Sequence, residues 1–299
     1  MKIAVTGANS SVGQNLLAHI AAQSDINVIA GVRSEKAIAS LPVSAQIDAR
    51  LISYADEDGL ASLFEGVHCV VHLAGILIES RHSTYDSVNV AATSAVVAAA
   101  KRAAVKHIVF ISVIGASTDS DNLYLKSKGL AENIVLQSGL SACVIRTPIL
   151  LGLGTAGADS LIGLASKPKS KVLGGGYFSM RPLDVDDLSL AILHSCNSQA
   201  NAATIHELVG PEAIPYRELV RRAANLMGKE TEIGSIPIWF AKFIAAITSR
   251  VKGGGISPTV IDVITSDEVV QANADATLGI SLTPLNTTLS KILNLKHTP

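Results

Sequence analysis

The sequence predicts an α/β fold, a doubly wound parallel sheet carrying a smaller, mixed C-terminal lobe. Three observations carry that expectation. Short apolar runs alternate with segments of helical periodicity as far as about residue 150, the pattern of parallel strands joined by crossover helices. A glycine-bearing segment, Thr6-Gly7-Ala8-Asn9-Ser10-Ser11-Val12-Gly13, stands between the first apolar run and the first helix. Of the 299 residues, 48% are apolar and only 16% are charged, so the chain can bury a large core.

The first run, Lys2-Ile3-Ala4-Val5, reads as a buried strand. After the glycine segment, Val12, Leu16, Leu17 and Ile20 recur at helical spacing, which makes the segment a strand-to-helix turn. Such a turn aims unpaired backbone N–H groups and the positive end of a helix dipole at one spot, where a pyrophosphate fits. Gly7 permits the tight turn and Gly13 lets the helix approach the strand. Asn27–Val32 is the second strand, ending at Arg33-Ser34, followed by a short helix over Glu35–Ser40 and a third strand around Gln46–Ser53. Asp56-Glu57-Asp58 opens an acidic helix start, with Leu60, Leu63 and Phe64 on one face. The fourth strand, Val67–Leu73, is closed by Ala74-Gly75. An alanine-rich helix over Val88–Ala104, a fifth strand over Lys106–Ser112, a helix over Tyr124–Gln137 and a sixth strand over Leu140–Thr147, stopped by Pro148, complete the series.

From Leu151 the rhythm breaks. Gly152, Gly154, Gly157 and Gly174-Gly175-Gly176 mark loops, and a helix at Asp187–Ser195 returns to the sheet. The expected division is therefore a dinucleotide-binding domain of the Rossmann type over 1–150, with 182–203 returning to it, and a lobe built from 151–181 and 204–299. Ligands in open α/β sheets sit at the carboxyl ends of the strands, so the lobe is expected to roof the site.

Charge and composition narrow the partners. A net charge of −1 and the absence of long basic runs argue against nucleic acid. Cys69, Cys143 and Cys196 lie in apolar runs without ligand spacing, so they read as buried free thiols in a reducing compartment, with no disulfide framework and no metal site. No apolar run reaches the ~18 residues of a membrane span, and a first strand beginning at Lys2 leaves no room for a signal peptide. The expected location is the cytoplasm. One stretch, 236–252, stands apart. Trp239, Phe240, Phe243, Ile244 and Ile247 fall on one helical stripe, followed by Arg250 and Lys252. Two readings are open there: a helix resting on a membrane or partner surface, or one packed on the lobe.

The chemistry gathers around Tyr124-Leu125-Lys126-Ser127-Lys128. Tyr124 and Lys128 are four apart and share a helix face. A phenol of pKa ~10 is a poor acid–base catalyst at neutral pH, and a nearby ammonium is expected to lower it. Such a pair can pass a proton to or from a carbonyl or alcohol. Ser112, closing the fifth strand, could hold the same substrate oxygen. Taken alone, the pair is also what many ordinary helices carry. His72 reads as a packed strand residue rather than a base. Arg181 reads either as a phosphate ligand or as an ion-pair partner of Asp184 or Asp187, and Asp186 and Asp187 as helix-start residues.

Together, these residues resemble the short-chain dehydrogenase/reductase superfamily in its extended, atypical branch. The residues that carry the resemblance are the Thr6–Gly13 turn, His72-Leu73-Ala74-Gly75, Asn89, Ser112, Tyr124 with Lys128, Arg146-Thr147-Pro148 and Val185-Asp186-Asp187. Tyr124–Lys128 and Glu207-Leu208-Val209-Gly210-Pro211 also look like the NADPH-binding accessory subunit of respiratory complex I and its bacterial relatives. The resemblance implies that the turn from Gly7 through Asn9, Ser10, Ser11 and Val12 to Gly13 holds a pyrophosphate, and that Ala74 and Gly75 line the cofactor groove. It implies a catalytic trio of Ser112, Tyr124 and Lys128, with Lys128 also reaching the nicotinamide ribose. Asn89 would support the active-site hydrogen bonds, Pro148 would flank the carboxamide, and a homodimer would form through the helices at Val88–Ala104 and Tyr124–Gln137.

Two positions depart from the family pattern. Ser10 stands where a glycine is usual, and its hydroxyl could bond the phosphate instead. The acidic residue common near the adenine is Ser53 here, so that contact passes to Tyr54 or is lost. Cofactor choice rests on Arg33. NAD enzymes place an acidic residue at the end of the second strand and NADP enzymes an arginine, and this chain has no carboxylate there until Glu35. The expectation is NADP(H) in preference to NAD(H), unless Arg33 is merely solvated. The function so implied is an NADP(H)-dependent oxidoreductase or epimerase acting on a hydroxyl or carbonyl carbon of a small molecule. Its rival is a non-catalytic cofactor-binding structural or sensing protein.

Overall fold

In a computed structural model that describes residues 1–22, 25–197 and 202–294, the first apolar run is strand β1 (Lys2–Thr6), buried from Ile3 onward. There follow α1 (Ser11–Ala21), β2 (Asn27–Val32), α2 (Glu35–Ile38), β3 (Ile47–Leu51), α3 (Glu57–Leu63) and β4 (Cys69–His72). Helix α4 (Ala92–Arg102) is entered through a π-helical turn at Asp86–Ala91, and β5 (His107–Val113), α5 (Leu123–Leu136) and β6 (Ser141–Thr147) continue the alternation. Every adjacent pair in this sheet is parallel, in the order β3-β2-β1-β4-β5-β6.

Residues of period two on the strands feed two cores, one on each face. Ile3, Val5, Val71 and Val109 pack with Leu16 and Ile20 of α1, whereas Ala4, Val70, Ile108 and Phe110 pack with Leu60, Val96 and Val135 of α3, α4 and α5. Helices on both faces make the sheet doubly wound, as the sequence predicts. The order reverses between β1 and β4, and the turns after these two strands, at Gly7 and at Ala74-Gly75, frame the crevice where ligands of such sheets bind.

Beyond β6 the chain forms β7 (Leu150–Leu151), α6 (Ala156–Ala165), β8 (Lys169–Leu173), β9 (Ser179–Met180), β10 (Leu183–Asp184), α7 (Val185–Cys196), β11 (Ala203–Glu207), β12 (Ile214–Pro215), α8 (Tyr216–Leu226), β13 (Glu232–Ile236), α9 (Ile238–Lys252), α10 (Pro258–Ile264) and α11 (Leu285–Asn294). The return to the sheet reaches further than the sequence reading placed it. Strand β11, from Thr204 assigned to the lobe, pairs with β6 as a seventh parallel strand, and Ala274, Leu278 and Ile280 pack into the core beside α7. Residues 198–201 of that return and 295–299 of the lobe lie outside the described residues, as does the side chain of Lys252. The lobe has its own core, in which Leu161 and Ile162 meet Leu219, Val220 and Leu289.

Helix α9 does not tuck its stripe away. Trp239 is 72% exposed and Phe243 59%, with Phe240, Ile244 and Ile247 also exposed, so the packed reading fails for these five side chains. Among the described residues no helix is long and apolar enough to cross a membrane. Cys69, Cys143 and Cys196 are all buried free thiols, and no cluster of three or more His, Cys, Asp or Glu side chains suited to a metal occurs among the described residues.

Candidate active site

The crevice begins at the turn after β1. Gly7 has φ of +75°, and a Cβ there would lie 2.8 Å from the backbone nitrogen of Ala74, so glycine is what allows this turn to close on the end of β4. A Cβ on Gly13 would come 2.4 Å from the carbonyl oxygen of Ala8, which fixes the close approach of α1. Ser10 is the N-cap of α1, its Oγ accepting the Gly13 N–H at 3.1 Å. The hydroxyl thus has a structural task, while its own proton stays free to donate. The N–H groups of Ser11 and Val12, in the first helical turn, have no intrahelical acceptor. These features fit the diphosphate of a dinucleotide.

A groove of about 150 Å³ runs along this turn, lined by Gly7, Asn9, Ser10, Arg33, Tyr54, Ala74 and Gly75 among others. Seven residues assigned to cofactor binding from the sequence therefore meet around one space. Ser11, Val12 and Gly13 do not line it, and their contribution is through the backbone of α1. Arg33 is exposed at the end of β2, with no acidic residue facing it across the groove. Burial pushes the Tyr54 phenol up to about 12, against the opposing effects of the Thr6 hydroxyl and the Arg33 charge.

Leu73 and Gly75 also line a second, adjoining cavity of about 330 Å³ at the carboxyl ends of β5 and β6. Ser112, Tyr124, Lys128 and Pro148 all line it. Ser112 Oγ is buried and has no hydrogen-bond partner among the described residues. A buried hydroxyl in that state is costly unless something occupies the cavity beside it. Lys128, 5% exposed, donates from Nζ to the Ile111 carbonyl oxygen at 2.8 Å and stands over the Phe110 ring at 4.3 Å. Burial lowers its ammonium to about 8, and Glu132 works against that shift.

The expected lowering of the Tyr124 pKa is corrected here. Burial, and secondarily the neighbouring Tyr85 phenol, hold Tyr124 well above the usual phenol range. The Lys128 ammonium, turned to Ile111, does not counter this. A phenol so placed stays protonated at neutral pH, the state in which it has a proton to give, although burial makes it a weaker acid than a free phenol. Asn89 clamps the wall of the cavity: Oδ1 accepts the Ile76 N–H at 2.8 Å, and Nδ2 donates to Ser127 Oγ at 2.9 Å. It ties the loop after β4 to α5.

His72 is the packed residue expected. Its ring nitrogens meet Thr6 Oγ1 at 2.6 Å and Thr93 Oγ1 at 3.0 Å, and burial, with Lys128 nearby, drops its pKa to about 3. Asp184, rather than Asp186 or Asp187, caps α7 and pairs with Lys291, while Asp187 accepts from Thr283. Arg181 makes neither expected ion pair among the described residues, and its Nε is buried without a partner. Sequence reasoning missed Glu268. Its carboxylate lines the cavity of Ser112 and Tyr124 and accepts the N–H of Ile149 at 2.9 Å and of Arg181 at 2.7 Å, and burial raises its pKa. It lies in a segment with no periodicity, so nothing in the sequence marks it.

The NAD(P)H-binding family matches residues 7–173, more than half of the chain. Over 246 residues, 77% of this chain, it is 24% identical to NADH dehydrogenase [ubiquinone] 1 alpha subcomplex subunit 9, mitochondrial, of Arabidopsis thaliana, and the match spans only 60% of that subunit's own length. Over 79% of this chain and 73% of the relative it is 22% identical to ceramide reductase of Caulobacter vibrioides (strain NA1000 / CB15N). Among solved structures, the Citrobacter sp. triphenylmethane reductase complexed with NADP(H) superposes with a TM-score of 0.76 at 19% identity, covering 97% of this chain and 99% of that one. At that identity the likeness shows the fold.

Proposed function

Because this chain belongs to the NAD(P)H-binding family, we propose that it is an NADP(H)-dependent oxidoreductase that acts on a hydroxyl/carbonyl carbon, with carbonyl reduction as its favoured direction. The observation that carries this is the unpartnered, buried Ser112 hydroxyl in one cavity with Tyr124 and Lys128. Ser112 Oγ would donate to the substrate carbonyl oxygen. Tyr124, kept protonated by burial, would give that oxygen its proton as the carbonyl carbon gains a hydride. Reduced nicotinamide, when bound, supplies the hydride and leaves oxidised. Gly7, Asn9, Ser10, Ala74 and Gly75 would hold the dinucleotide along the groove, with Arg33 toward the adenosine ribose and Pro148 beside the nicotinamide. Lys128, fixed on the Ile111 carbonyl, would keep a positive charge next to both the phenol and the ribose. A reductase among the relatives, named for ceramide, supports a redox reading over an epimerase one.

A second reading is favoured by the complex I relative. In it the dinucleotide stabilises the fold and no substrate turns over. Titration with NADPH and NADH, followed by a turnover screen of small ketones, quinones, hydroxysteroids and nucleotide sugars, separates the two. Saturable NADPH oxidation with any carbonyl supports the reductase. Tight NADPH binding with no turnover across the screen supports the structural reading.

A further inference from the structure

The catalytic cavity does not end at Tyr124. On the lobe side it shares Leu77, Ile149, Met180 and Ile264 with a further chamber of about 430 Å³ between α6, β8 and α8. The side chains that stand between the two are thus apolar. Beyond it, Leu164, Val172, Leu173 and Phe178 line the chamber. Its two side-chain hydroxyls, Ser160 Oγ and Tyr216 OH, face each other at 3.4 Å. Among the described residues the only ionisable side chain on its wall besides Tyr216 is Lys171, exposed at the rim. The nearby Arg217 is stacked on Tyr177, 4.3 Å from the ring centroid.

We propose that this chamber receives the apolar tail of the substrate, so that the site takes amphiphilic carbonyl compounds with an unbranched or lightly branched hydrocarbon chain. The inference rests on the reading of Ser112 and Tyr124 as the carbonyl-binding pair. A nucleoside diphosphate needs charged, forked donors around its oxygens, and the chamber wall offers one rim lysine. An apolar space of this size holds water poorly and takes up apolar ligands. Its place next to the cavity of Ser112 sets the proposed geometry: the reacting carbonyl lies at Ser112, and the chain runs past Leu77 and Ile264 toward Phe178.

The test is calorimetric titration of the NADPH-loaded protein with methyl ketones from hexanone to dodecanone, alongside a separate turnover assay. Affinity is expected to rise about threefold to fourfold for each added methylene. Ala156→Trp and Ser160→Trp, both at exposed positions of α6 on the chamber wall, are expected to flatten that rise. A chain-length series that is already flat in the unaltered protein overturns the proposal, even where hexanone is reduced and the reductase reading stands. A steep series that neither substitution changes also overturns it, because the chain then binds elsewhere. A steep series flattened by the substitutions supports the chamber even where no ketone is turned over, an outcome that counts against the reductase reading alone.

Discussion

Lys128 Nζ donates to the carbonyl oxygen of Ile111 at 2.8 Å, and Ile111 is the residue immediately before Ser112. One buried side chain on α5 therefore pins the end of β5, where the unpartnered hydroxyl sits. Burial lowers the ammonium from 10.5 to about 8. Between those values the unfolded chain holds a proton that the folded chain has released, so the stability contributed by this group rises with pH across that window. Below it the penalty for burying the charge is present in full. Relative to Lys128→Met, the unaltered protein should gain on the order of 3 kcal/mol of unfolding free energy from the bottom to the top of the window. Chemical denaturation at several pH values measures this. A difference that stays constant would mean that the ammonium is not desolvated.

Strands β1, β2, β4, β5 and β6 were legible because each is a short, largely apolar run buried on both faces, and parallel sheets leave that mark. Gly7 and Gly13 announced the turn because no other residue meets the backbone approach to Ala74 and Ala8. Tyr124 and Lys128 were visible through helical spacing alone. Their electrostatics were not: the direction of the Tyr124 shift depends on what surrounds the hydroxyl, and spacing carries no information on burial. Glu268, Met180 and Ile264 reach the cavity from separate lobe segments with no common period. Thr204–Glu207 of the edge strand went to the lobe for a related reason, since the partner strand β6 lies about sixty residues earlier and only the register, Thr204 to Cys143, reveals it. The stripe on α9 was plain from its period, but a period cannot say whether anything covers it.

Arg33 is expected to govern the choice of cofactor. It lines the groove with Tyr54, and no carboxylate faces it there. A guanidinium at this point pairs with a ribose 2′-phosphate, whereas an acidic residue would bind the 2′-hydroxyl. NADPH should bind more tightly than NADH by roughly tenfold or more, as a charge-assisted contact of ~1.5–3 kcal/mol implies. Arg33→Ala should remove most of that difference and leave NADH affinity nearly unchanged. Fluorescence titration with both nucleotides checks it, and equal affinities in the unaltered protein would refute it.

Helix α9 should bring the protein to anionic bilayers. Trp239, Phe240, Phe243, Ile244 and Ile247 present an exposed apolar stripe, while Arg250 is exposed on the same helix and Arg81 lies against Gly253 at its C-terminus. Apolar insertion flanked by basic side chains is the pattern of interfacial helices. The protein should co-sediment with phosphatidylserine-containing vesicles at low salt, with Trp239 emission shifting to the blue. Trp239→Ser combined with Phe243→Ser should abolish both effects without lowering the thermal midpoint, because these side chains pack on little. Absence of sedimentation at low salt would dispose of the idea.

Tyr124→Phe distinguishes the reductase from a protein that only binds its cofactor. The substitution removes the hydroxyl and keeps the ring that meets Tyr85 at 5.8 Å, so the cavity and the dinucleotide groove stay intact. NADPH affinity should hold while turnover of any carbonyl substrate falls by at least ~10²-fold, the lower end for a lost general acid. Lys128→Met should behave differently. It removes a charge from the cavity and, on the proposed reading, a contact to the nicotinamide ribose, so binding and rate should both suffer. The pH profile separates the two groups further. Tyr124 stays protonated throughout the neutral range, so it adds no break there, whereas deprotonation of Lys128 should lower the reduction rate as pH rises through about 8. In the structural reading Tyr124→Phe is silent, nothing turns over, and NADPH still raises the thermal midpoint of both proteins through linkage. A carbonyl reduced at the unaltered rate by Tyr124→Phe would remove this residue from the chemistry and leave Ser112 without its proposed partner.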